Sequence, residues 1–111
     1  DILELIDCVK GEHKALILDK EMASFLSHIC GVASLRAHRV DKIFYIKTGL
    51  TVPSHCDGVI FLLRGSLAYA KLIVSIIRKI QSSCRVKTSP HFCFINVPHR
   101  CVVVERYFEK E

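Results

Sequence analysis

The run Val59-Ile60-Phe61-Leu62-Leu63 constrains this chain more than any other stretch. Five apolar residues in succession, with none of the alternation of a half-exposed strand, fit a strand covered on both faces. Strands of that kind belong to parallel sheets sandwiched between helices, so the rest of the chain must supply helices for two faces.

The flanking segments meet that requirement. Ile2, Leu3, Leu5, Ile6 and Val9 recur at helical spacing before Gly11, which predicts a short amphipathic helix with a glycine stop. Lys14 to Asp19 is a short apolar run closing on an acid, hence a buried strand. From Lys20 to His38 the positions Met22, Phe25, Leu26, Ile29, Val32, Ala33 and Leu35 keep a three-to-four spacing, predicting one helix loosened at Gly31. Lys42 to Lys47 is rich in β-branched and aromatic residues and reads as the second strand; Gly49, Pro53, Ser54, Asp57 and Gly58 make the loop after it. Beyond the third strand, Arg64-Gly65-Ser66 turns the chain into a helix over Leu67 to Ser82, with Ser66 as its N-cap. A polar loop carrying Ser89-Pro90 leads to a fourth strand, Phe92 to Val97, and Pro98 to Lys110 reads as a last helix.

This order predicts a doubly wound, three-layer α/β/α domain with right-handed crossovers and four parallel strands in the order 2-1-3-4. Ligands in such sheets gather at the carboxyl edge of the strands. That edge would present Asp19, Lys47, Arg64 and the Val97-Pro98-His99-Arg100 turn.

A length of 111 residues suits a single domain, and half of the residues are hydrophobic, enough to fill a core. The formal net charge of +5 favours acidic partners. Its basic residues are spread along the chain without an aromatic-rich stripe on which bases would stack, so nucleic acid is not the expected partner. The six cysteines, Cys8, Cys30, Cys56, Cys84, Cys93 and Cys101, lie far apart and partly inside apolar runs. Free, buried thiols in a reducing, cytoplasmic setting are the expectation. The polar, amphipathic start has no signal-peptide pattern. The most apolar stretch, Leu67 to Ile80, is interrupted by Lys71 and Arg78-Lys79 and is shorter than the roughly 20 residues of a membrane span.

Catalytic patterns are missing where this fold would carry them. A dinucleotide site needs a glycine-rich cradle after strand one, but the turn reads Leu18-Asp19-Lys20-Glu21-Met22, whose carboxylates repel phosphate. A phosphate-accepting receiver domain needs an Asp at the end of strand three, where Arg64 stands. His91 and Cys93 share a strand face and His99 and Cys101 are spaced likewise, yet no pair has the spacing of a structural zinc site. His55-Cys56 has no third partner to complete a thiol catalyst. No catalytic residue, metal or cofactor is therefore expected, and the chain reads as a binding module, not an enzyme.

Four segments carry a family resemblance. Lys14 to Asp19, Ser34-Leu35-Arg36-Ala37-His38-Arg39-Val40-Asp41-Lys42-Ile43-Phe44, Val59 to Arg64, and Phe94-Ile95-Asn96-Val97-Pro98-His99-Arg100 together resemble the amino-terminal domain of the Sec/Munc (SM) family, and within it the vacuolar-sorting branch. The more specific features are the Ser-Leu…His…Val-Asp-Lys link into strand two, the Phe-Leu-Leu-Arg strand end before an apolar helix, and the Val-Pro-x-Arg turn followed by Glu105. The likeness runs from about Gly11 to the end. One departure is Gly65, where members of this type usually carry Pro. The family domain also continues into a fifth strand, whereas this sequence stops at Glu111, so residues 1–111 are expected to form an incomplete amino-terminal domain of a longer protein, with one sheet edge unpaired.

The resemblance implies a part in vesicle docking and membrane fusion. SM proteins clasp syntaxin-like SNARE helices, and the vacuolar-sorting members act with other subunits of the HOPS and CORVET tethering complexes at endosomes and lysosomes. It also implies partner contacts between helix two and strand two, which correspond here to Arg36, Arg39 and Lys42. The alternative is a flavodoxin-like binder of a nucleotide or small molecule. The two separate at the turn after Leu18: a nucleotide binder leaves a nest of backbone amides open there, and an SM-type domain fills it.

Overall fold

The computed structural model describes residues 2–64, 69–83, 90–97 and 100–103. Its elements run α1 (Ile2–Cys8), β1 (Lys14–Leu18), α2 (Lys20–Ile29), α3 (Val32–Ala37), β2 (Val40–Tyr45), β3 (Gly58–Arg64), α4 (Ala70–Ser83), β4 (His91–Val97) and β5 (Arg100–Val103). One sheet has the order β2-β1-β3-β4-β5. The β2, β1, β3 and β4 strands are parallel in the expected order 2-1-3-4.

Two apolar clusters fill the space on either side of the sheet. Leu16, Leu18, Ile60, Leu62 and Cys93 point to the layer of α1, α2 and α3, where Ile2, Ile6, Met22, Leu26 and Leu35 meet them. Ile17, Val59, Phe61, Leu63 and Phe92 point the other way, onto Ile73, Ile76, Ile77 and Ile80 of α4. Successive residues of β1 and β3 thus feed opposite clusters, the physical reason for runs without alternation.

Three features differ from the sequence expectation. The helix expected over Lys20 to His38 is two helices, because Cys30 and Gly31 are both extended, with ψ of 154° and 175°. Strand two starts earlier, at Val40, and Asp41 is an extra residue between the Lys14–Val40 and Ala15–Lys42 pairs, a β-bulge.

The third difference is a correction. Residues 100–103, expected to open a last helix, form β5, which runs antiparallel to β4 with Cys93 opposite Val103 and Asn96 opposite Arg100. Cys101-Val102-Val103 is too short an apolar run for periodicity to choose helix over strand, and its β-branched pair suits the open edge of β4. Among the described residues the sheet thus has five strands, and the edge of β4 expected to be bare is partnered. The expected cap Ser66, the His99 turn and the residues beyond 103 lie outside the described residues.

Candidate functional site

At the carboxyl edge, the turn after β1 is occupied by the protein itself. Asp19, 6% exposed, caps α2, and its Oδ1 accepts the Met22 N–H at 2.8 Å. The helix amide a phosphate would seek is taken by a carboxylate, which also repels anions. Of the other residues expected on this edge, Lys47 is exposed just past β2, and Arg64 ends β3.

The charged residues gather at the opposite, amino edge. The Asp57 carboxylate accepts the N–H groups of Glu12 at 3.0 Å and His13 at 2.9 Å. Its own backbone N–H donates to the His13 carbonyl, and its carbonyl accepts from His91. One residue therefore joins the starts of β1, β3 and β4. Gly11 makes the approach possible: at φ +146° it occupies a region side chains rarely adopt, and a Cβ there would lie 2.8 Å from Asp57 Oδ1. Burial alone would raise the Asp57 pKa, but the backbone N–H donors and nearby His13 outweigh it and hold the carboxyl below its ordinary value.

Around this staple lie three ion pairs. His13 Nδ1 is 2.6 Å from Asp41 Oδ2, His38 Nδ1 is 2.7 Å from Asp7 Oδ1, and Arg39 pairs with Glu12. The hydrogen bond to Asp41 raises the His13 pKa against the opposing effect of burial, helped by the charges of Asp41, Asp57 and Glu12. Beneath them Lys14 is buried, its Nζ donating to the Ile6 carbonyl at 2.9 Å and facing the His38 carbonyl at 3.4 Å. Those carbonyls lie near the carboxyl ends of α1 and α3, where helix dipoles favour a cation. Burial nonetheless lowers the Lys14 pKa, the Asp7 charge opposing it.

Arg36 and Arg39 belong to this amino edge, and Lys42 follows on the edge strand, opposite Ala15. All three are exposed. Arg39 has φ 69°, a left-handed turn between α3 and β2, and is committed to Glu12. Arg36 and Lys42 form no ion pair among the described residues. Acids Asp7, Glu12 and Asp41 are interleaved with the bases, so the rim is mixed in sign.

The second surface feature went unnoticed in the sequence. Tyr45 of β2 and Lys20, Ala23, Ser24 and Ser27 of α2 line a groove of about 480 Å³. Ile43 and Tyr45 are 42% and 59% exposed beside it. The signal was the stretch Ile43-Phe44-Tyr45-Ile46, which is apolar on both faces like an interior strand. Because β2 is an edge strand and α2 packs over β1 and β3, one of those faces is left partly uncovered by the described residues.

Cys56 and Cys93 are buried, whereas Cys30 is half-buried and Cys8 exposed. Cys56 Sγ is 3.9 Å from His55 Nε2, but burial pushes its pKa up, the reverse of an activated nucleophile. Among the described residues no group of three His, Cys, Asp or Glu side chains could hold a metal ion, and no helix is long and apolar enough to cross a membrane.

No family model and no curated protein matches the sequence. Among solved structures, the chain is similar to the SM protein Vps45 in complex with the Qa SNARE Tlg2. The TM-score is 0.59 at 18% identity, over 99% of this chain and 19% of that one. The two share a fold, and this chain spans about a fifth of its neighbour's length.

Proposed function

We infer that this chain is the first domain of an SM-type protein and that it binds a syntaxin-like SNARE. The carrying observation is the fold shared with Vps45, a protein solved with a Qa SNARE, over nearly every residue of this chain. Two further features support it. The SM-like sequence segments fall on β1, the α3–β2 link, β3 and the end of β4, the framework of the sheet. The turn after β1, where a nucleotide-binding relative would hold phosphate, is filled by Asp19.

On this reading the sheet is a scaffold and its rim makes contacts. Arg36 and Lys42, exposed and without an ion pair among the described residues, would meet acidic positions of the SNARE helix; Arg39 would have to exchange Glu12 for its partner. The resemblance to vacuolar protein sorting-associated protein 33 extends the proposal to HOPS or CORVET tethering complexes. The chain would then act at the cytoplasmic surface of endosomes or lysosomes, attached to membranes through its partners, with other complex subunits held outside this domain.

The test is a calorimetric titration of the chain with syntaxin-type SNARE helices. Saturable binding that Arg36→Glu plus Lys42→Glu weakens tenfold or more, with the thermal transition unchanged, is the expected result. Binding that ignores both reversals removes the assigned rim, and failure of every such helix to bind overturns the partner class.

A further inference from the structure

We propose that the free edge of β2, together with the groove beside α2, accepts an extended acidic segment of a partner protein as an added strand. This surface shares β2 with Lys42 of the rim assigned to a SNARE helix but uses the outward edge groups of Ile43 and Tyr45 and the groove beside α2, and the proposal does not depend on that reading.

The backbone of β2 offers the pairing groups. The Ile46 N–H donates to the Leu18 carbonyl at 2.8 Å, so Ile46 turns its peptide groups toward β1. Along a parallel strand these directions alternate, which turns Lys42 and Phe44 inward with it and leaves Ile43 and Tyr45 facing outward. Register places their side chains on the sheet face of Leu16 and Leu18, the face carrying α2. The two residues with unpaired edge groups are therefore also those with exposed apolar side chains, at 42% and 59%. An incoming strand that bonds to Ile43 and Tyr45 lays its own alternate side chains over them, in the groove lined by Lys20, Ala23, Ser24 and Ser27.

Charge chooses the occupant. Lys20 lines the groove and, among the described residues, no acid does; Lys47 stands just past β2, and Lys42 lies on the opposite face. Asp41, the one acid of β2, is held by His13. Native edge strands are commonly blunted by lysine or a bulge against self-pairing. Here the bulge lies at Asp41, before the exposed pair, and the lysines bias the edge against a second basic copy of this chain. The fitting partner alternates apolar residues, which cover Ile43 and Tyr45, with Asp or Glu.

The experiment mixes the chain with a synthetic peptide, Asp-Val-Glu-Ile-Asp-Val-Glu, and with its lysine-for-acid counterpart, and follows amide exchange by NMR. Saturable binding of the acidic peptide alone is expected, with exchange at the Ile43 and Tyr45 amides slowed at least tenfold. Lys20→Glu plus Lys47→Glu, which leaves the backbone pairing groups intact, should weaken binding tenfold or more. Tyr45→Lys, which keeps the edge but uncovers the groove, should also weaken it. Three outcomes overturn the proposal: equal binding of both peptides, binding without slowed exchange at those two amides, or concentration-dependent dimerisation through β2 in sedimentation without peptide.

Discussion

Replacing Asp57 with alanine tests how the amino edge is held together. The side chain is half-buried and accepts two backbone N–H groups, from Glu12 at 3.0 Å and His13 at 2.9 Å. Hydrogen bonds to a charged acceptor contribute roughly 1.5–3 kcal/mol each when shielded, and less where water reaches the freed donor, as it does here. About 2 kcal/mol for the pair is the working figure, which at a slope of about 2 kcal/mol per molar urea lowers the unfolding midpoint by about 1 M. Asp57→Asn keeps one acceptor oxygen without the charge and should lose about half as much. The same carboxyl predicts an acid limb. Its folded pKa lies below the ordinary carboxyl value of 3.8, so its stabilisation is present above that value and is lost as pH falls through the folded pKa. Urea midpoints measured from pH 7 downward should therefore stay apart for wild type and Asp57→Ala down to the ordinary carboxyl value of 3.8, and draw together only as pH falls further, through the folded pKa. An alanine variant within about 0.5 kcal/mol of wild type at pH 7, or a constant difference across the acid range, would refute the staple.

Three further outcomes follow from the same region. His13 has a raised pKa, so its contribution is complete below its ordinary value and is lost as pH rises through the folded value; an imidazole NMR titration should show the elevation, and Asp41→Asn should remove most of it. Lys14→Met keeps the aliphatic stem but strips a donor from the Ile6 and His38 carbonyls, which should cost about 1–3 kcal/mol; unchanged stability in urea would mean that water replaces the ammonium. A methyl group on Gly58 would lie 2.8 Å from the Lys10 carbonyl oxygen and 3.2 Å from Lys14 Cγ, so Gly58→Ala should destabilise by about 1–3 kcal/mol, whereas Gly31→Ala, with open space around it, should not by this steric route.

The sequence by itself determined the nature of most elements. Apolar runs without alternation over Ala15–Leu18 and Val59–Leu63 mark strands covered on both faces, and the spacing of Met22, Leu26, Ile73, Ile77 and Ile80 marks helices that cover them. Those signals are local, since each is an unbroken apolar run or a three-to-four spacing within one segment of the chain. The four-strand parallel order also followed, because a strand, helix and strand succession with right-handed crossovers leaves few arrangements. The Asp19 turn could be read only in part: its carboxylates argued against phosphate, but the cap on Met22 needed coordinates.

Tertiary structure decided which strand is an edge and what meets at the ends of the sheet. Nothing local in Ile43-Phe44-Tyr45-Ile46 distinguishes an interior strand from an edge one, so the bare face of β2 and the groove beside α2 emerged only from the strand order. The reversal at β5 was equally undetermined, because four residues carry no usable period. Asp57 reaches Glu12 across 45 positions, and Asp41 reaches His13 across 28. Pairings at such separations are set by parallel register, which brings the starts of β1, β2 and β3 to one edge, and no pattern within a segment encodes them.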